Sequence, residues 1–146
     1  MRILQFPWPL LISALIAGEV QVAIAGSDEI ARGRRDFMDL CADCHGEDAA
    51  GSGPLTINLT KIPPDLTRIK LRAHGKFDDK AILDWIIGLN MPDSHGSREM
   101  PIWGDWLMDE MLEDSTSLDA GRAAEKAVKQ RVMAIVAYLK SIQVDK

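Results

Sequence analysis

The sequence predicts an all-α domain, and three observations carry that expectation. Apolar residues recur at helical spacing in several segments. No stretch shows the strict alternation of a half-buried strand. Clusters of glycine and proline punctuate the chain between the periodic segments, where they read as loops.

The first 25 of the 146 residues stand apart. Met1-Arg2 gives a short positive start, Leu10 to Ala17 is apolar, and Ala23-Ile24-Ala25 fits a small-x-small cleavage pattern. Residues 1–25 are therefore expected to be a signal peptide cut before Gly26. The competing reading is an uncleaved membrane anchor. Glu19 and Gln21 interrupt the apolar run, leaving it short of the roughly 20 residues a spanning helix needs. Removal of the leader leaves residues 26–146, enough for one domain.

Within that domain, Ser27 can cap a first helix, with Asp28 and Glu29 complementing its positive end. Ile30, Phe37, Leu40 and Cys41 then share a face. Residues 46–67 should be irregular, given Gly51-Ser-Gly-Pro54 and Pro63-Pro64. Asp78 or Asp79 caps a helix over 80–87, stopped at Gly88. Residues 91–107, with Pro92, Gly96, Pro101 and Gly104, read as loop, and Met108 to Asp114 as one or two helical turns. Residues 105–119 are acidic and read as a solvated insertion. The strongest helix should start at Asp119 and run to about Ile142. Its inward stripe is Val128, Val132, Ile135, Val136, Leu139 and Ile142.

Both cysteines of the chain lie in Cys41-Ala-Asp-Cys44-His45. C-x-x-C-H is the attachment sequence of c-type haem. Two intervening residues put the sulfurs about one helical turn apart, so both reach one macrocycle edge as thioethers. The histidine that follows is aimed at the iron. A C-x-x-C pair also suits a thioredoxin-like redox site or half of a zinc site. A zinc site needs further ligands, and His74 and His95 are distant and isolated. A thioredoxin-like site needs strands alternating with helices around the motif. Covalent haem attachment outside the bacterial cytoplasm agrees with an export signal, so the expected location is the periplasm. It also consumes both thiols, so no disulfide is expected.

Taken together, these features make the chain resemble a class I cytochrome c over nearly its whole length after the leader. Gly33, Phe37 and Cys41 match the family's first helix, with glycine and an aromatic at four-residue intervals before the first haem cysteine. Ile135, Tyr138 and Leu139 match its last helix. The resemblance implies that the terminal helices cross closely, which would explain a glycine that costs about 1 kcal/mol against alanine within a helix.

The resemblance also implies a sixth iron ligand, usually methionine. Met38, Met108, Met111 and Met133 fall on predicted helices and read as core filling. Met91 and Met100 sit in loops before proline. Met100-Pro-Ile-Trp-Gly104 resembles the M-P-x-W-G axial-ligand loop of a bacterial subgroup, so Met100 is favoured, with Met91 as the alternative. His95 and His74 are rivals that would lower the reduction potential, but both read as surface loop residues. Gly53-Pro54-Leu55 resembles the segment whose proline carbonyl accepts the proximal histidine's Nδ1–H, so Pro54 takes that role. Pro63-Pro64 competes for it, because an insertion blurs the match. Trp103 is expected to pack on the haem and to donate its indole N–H to a propionate. Arg98 is a second candidate there.

A net charge of −5, unchanged by loss of Arg2 and Glu19 and deepened by propionates, speaks against nucleic acid as a partner. The implied function is a periplasmic protein with one haem c, carrying single electrons between redox partners. Docking would be transient and electrostatic, onto a basic surface. Two other readings stay open: a subunit of a periplasmic dehydrogenase complex, or a gas-binding or sensory protein with an open sixth position. No catalytic base or second cofactor site is evident, so independent catalysis is not expected.

Overall fold

The computed structural model describes residues 12–89, 100–112 and 117–145. Six α-helices and two 3-10 turns lie among the described residues, with no strand. They are α1 (Ile12–Leu40), α2 (Ala42–His45), α3 (Ile69–Arg72), α4 (Asp79–Ile87), α5 (Trp103–Leu112) and α6 (Leu118–Ser141). The 3-10 turns are Pro54–Asn58 and Leu66–Arg68. The all-α expectation holds.

The framework is the packing of α1 against α6, the most extensive contact between elements. Gly33 makes it possible. A Cβ at that position would stand 1.8 Å from the Ala134 carbonyl oxygen, so no larger residue fits without parting the helices. One turn further along, the Phe37 and Tyr138 rings meet with centroids 5.3 Å apart and planes at 53°. Phe37 and Val132 are fully buried, and Ile135 nearly so. Burial of each such side chain stabilises the fold by about 1.5–3 kcal/mol. Of the inward stripe expected of the last helix, Val128, Val132, Ile135, Val136 and Leu139 are buried, joined by Ala124, Ala134 and Tyr138, while Ile142 follows the end of the helix and is half-buried.

The first helix differs from expectation at its start. Ser27 lies inside α1, which runs unbroken from Ile12, and so is not its cap. Alanine, isoleucine and glutamate on both sides favour helix, and one glycine at position 26 costs only about 1 kcal/mol. Among the described residues no helix is long and apolar enough to cross a membrane. Residues 1–11, with the positive start of the expected leader, lie outside the described residues.

At α4 the ends are those expected. The Asp78 carboxylate accepts from the Ala81 N–H at 3.1 Å. Gly88 takes the left-handed conformation at φ 86°. Its N–H bonds to the Trp85 carbonyl, and the Leu89 N–H to that of Asp84 at 2.7 Å, which together satisfy the terminal carbonyls.

The fifth helix begins earlier than expected, at Trp103 rather than Met108. Pro101 stands before the helix and does not break it, because a proline costs a helix only where an N–H is needed. Gly104 is required by a neighbour: a Cβ there would lie 2.6 Å from the Ile87 carbonyl oxygen. The end of α4 thus abuts the start of α5. On the other side, fully buried Leu107 contributes to the shared core. Arg131 of α6 bonds Asp36 of α1 at 2.7 Å and Glu110 of α5 at 3.1 Å, which ties three helices together. The acidic segment read as a solvated insertion is therefore helical and anchored over 105–112.

Candidate functional site

The C-x-x-C-H sequence sits where α1 stops. The Cys41 N–H still bonds the Phe37 carbonyl at 2.8 Å, completing the last turn of α1. The Cys41 carbonyl then accepts from both Cys44 N–H (3.2 Å) and His45 N–H (2.9 Å). Both thiols and the imidazole are thereby borne on one closed turn. Gly46, at φ 81°, turns the chain out of it. Asp43 lies in the first turn of α2, where a negative charge complements the helix dipole.

Neither thiol is activated. Burial pushes Cys41 up to about 12, with Asp36 and Cys44 adding to the effect. Cys44 is raised as well, by burial and then by Asp43. A C-x-x-C redox site works through a lowered thiol pKa, so this pair has the wrong electrostatics for that chemistry. Both cysteines are free thiols with no disulfide between them. Among the described residues no group of three or more His, Cys, Asp or Glu forms a metal cluster that would complete a zinc site.

His45 is buried at 9 % exposure. Burial lowers its pKa, and the backbone carbonyl of Pro64 opposes that effect. Among the described residues its Nδ1 has no hydrogen-bond partner. The Pro64 carbonyl therefore faces the ring without closing a well-formed bond. Burial favours the neutral imidazole, which is the metal-ligating form.

The segment from Gly46 to Leu66 wraps this turn, and its glycines are dictated by close approaches. The Gly51 N–H bonds the His45 carbonyl at 2.7 Å, and the Gly53 N–H that of Cys44 at 3.2 Å. A Cβ at Gly53 would lie 2.4 Å from the Asp43 carbonyl oxygen. At Gly51, where φ is also positive, it would lie 2.2 Å from that of Pro63. Ala49, fully buried, is held at φ 59°, and its carbonyl accepts the Leu66 N–H at 2.8 Å. This stretch is irregular, as expected, yet its first half is bonded to the histidine turn and its last residue folds back onto Ala49.

Pro54 opens the 3-10 turn beside α2 and is exposed. The proline carbonyl whose influence reaches the imidazole is that of Pro64, from the pair that competed with Pro54 in the sequence, although it closes no hydrogen bond to Nδ1. Met100 and Trp103 are half-buried and pack against the core that includes Cys41 and Phe37. The Trp103 ring meets Trp106 edge-on, with centroids 5.7 Å apart. His74 is exposed at φ 53° in the turn after α3, which fits its reading as surface. Met91, His95 and Arg98 lie outside the described residues. Sequence reasoning missed α3 and the tail after α6, where Gln143 bonds back to Leu66 and Lys70. A lone glutamine after a helix gives no signal in a sequence.

These residues fit a covalently held haem. Two free thiols share one turn with a buried imidazole whose Nδ1 has no bonded partner among the described residues, and the surrounding core is apolar. No curated protein and no solved structure matches the chain. The family model described as Cytochrome c matches residues 30–143, which takes in the last part of α1, the attachment turn and all but the last residues of the tail. With the Gly33 crossing and the attachment turn both in place, the chain belongs to the cytochrome c family, whose members carry electrons on attached haem.

Proposed function

We infer that this protein is a periplasmic cytochrome with one haem c, passing single electrons between redox partners. Haem, when bound, supplies the one-electron change between Fe(II) and Fe(III). The chain's own residues do the rest. Cys41 and Cys44 anchor the group as thioethers, and His45 ligates its iron through a neutral imidazole. Pro64, rather than Pro54, orients that imidazole through its carbonyl and makes it a better donor. Met100, which stands just before α5 and packs against the core, is the sixth ligand. Trp103 excludes water beside it.

The single observation that carries this reading is the closed turn Cys41–His45, with raised thiols and a buried imidazole. Residues 1–25 act as the cleaved export signal, consistent with haem attachment outside the cytoplasm. Docking is brief and salt-dependent, because an acidic protein of net charge −5 meets a basic partner surface.

The test is the optical spectrum of the oxidised protein. A Met–Fe(III) charge-transfer band is expected in the wild type, lost in Met100→Ala and kept in Met91→Ala. Its absence from the wild type would leave an open or His-ligated site, the state a gas-binding protein requires. Loss in Met91→Ala alone would move the ligand to Met91.

A further inference from the structure

The last residues of the chain do more than end a helix. After α6, residues 142–145 run over the segment 66–70. The Gln143 carboxamide is bonded at both ends. Its Oε1 accepts the Lys70 N–H at 2.8 Å. Its Nε2 donates to the Leu66 carbonyl at 2.8 Å, and to that of Leu139 at 2.8 Å. The Val144 N–H adds a bond to the Thr67 carbonyl at 2.9 Å. Lys70 lies in the first turn of α3, where helical N–H groups have no partner within the helix. Gln143 thus satisfies an orphan donor and a neighbouring acceptor with one side chain.

The segment so held leads directly to the proximal histidine. Leu66 is two residues beyond Pro64, whose carbonyl faces His45. Pro64 has no N–H and so contributes no donor that could anchor this part of the segment, and its carbonyl lies in the peptide plane it shares with Asp65. The orientation of that plane is set from its flanks. Upstream, Gly51 backs onto the Pro63 carbonyl and bonds the His45 carbonyl. Downstream, Leu66 is fixed by its N–H to Ala49 on one side and by its carbonyl to Gln143 on the other.

We propose that Gln143 is a positioning residue for the proximal imidazole: its carboxamide pins residues 66–70 and thereby holds the Pro64 carbonyl against His45. The inference rests on His45 being the haem ligand. A carbonyl held at Nδ1 increases the donor strength of the imidazole and favours Fe(III). Loosening it raises the reduction potential.

The experiment uses the reduced, diamagnetic holoprotein. NMR gives the exchange rate of the His45 Nδ1 proton, and voltammetry gives the potential. Gln143→Leu fills the same space without the bonds. It should speed the exchange about tenfold, because the segment beside Nδ1 opens more readily by roughly the worth of one net hydrogen bond of Gln143, and move the potential upward with the Met–Fe(III) band retained. Gln143→Asn, one methylene too short to span both partners, should move both readouts the same way and serves if the leucine variant does not fold. Asp145→Asn removes only the exposed pair with Lys70 and should leave both at wild-type values. A folded glutamine variant with unchanged exchange and potential would overturn the proposal while leaving the haem reading intact. Equal shifts in Asp145→Asn would overturn it too. A wild-type protein without a haem spectrum would overturn both.

Discussion

Glycine 33 shows how a single residue sets the architecture around the haem turn. With the Ala134 carbonyl oxygen 1.8 Å from where its Cβ would be, alanine there must push α1 and α6 apart. Gly33→Ala is expected to cost about 3 kcal/mol, the upper range for overpacking, read as a lower denaturant midpoint. Its signal in the sequence was the four-residue interval to Phe37 and Cys41, which survives because helix geometry enforces it. Pro64 had no such signal. Pro54 and Pro64 are both prolines in a glycine-flanked loop, and only the folded path of residues 46–66 decides which carbonyl reaches the imidazole. Gly51 and Gly53 were legible as turn residues, but not as contacts with Pro63 and Asp43.

Among the elements, α4 has end signals that the fold uses, whereas the cap signal at Ser27 falls inside α1. Asp78 and Gly88 bound α4 as expected, because a carboxylate cap and a left-handed glycine are local devices. Where the decisive contact is distant, the sequence misleads. Pro101 and Gly104 read as loop, yet Gly104 exists to let α5 approach Ile87. The single turn of α3 is too short for periodicity to show, and its partner Gln143 is remote in sequence.

The Asp78 cap makes a prediction at this scale. Its pKa is lowered, first by the Ala81 N–H and then by Lys76. A carboxylate with a depressed folded value stabilises above its unfolded value, near 3.8, and loses that contribution as pH falls through the folded value. Asp78→Ser keeps a capping oxygen without a titrating group. The variant should therefore lose less stability than the wild type between pH 7 and pH 3, in denaturant midpoints taken at each pH.

At the scale of the whole molecule, the α1 and α6 pair forms a frame to which the described segments between them are tied. Arg131 reaches α1 and α5 together, α4 abuts the start of α5, and the tail after α6 grips residues 66–70. The turn at His45 and the start of α5, which follows the proposed ligand Met100, are thus both referred to the same two helices. Such an arrangement suits electron transfer, which gains from ligands that stay in place when the oxidation state changes. The global features, an all-α chain with an attachment motif and an acidic balance, were legible because composition and spacing encode them directly. How the long loop returns to the histidine was not, because it depends on contacts between residues far apart in sequence.

The central claim is that one haem is bonded to Cys41 and Cys44 of an exported chain. The intact mass of the denatured protein, purified from the periplasm of a host able to attach haem, tests it most directly. A single species is expected, equal to residues 26–146 plus one haem, with Cys41→Ser and Cys44→Ser both lowering haem retention under denaturing conditions. A mass equal to the polypeptide alone, or to a chain that still carries residues 1–25, would contradict the account.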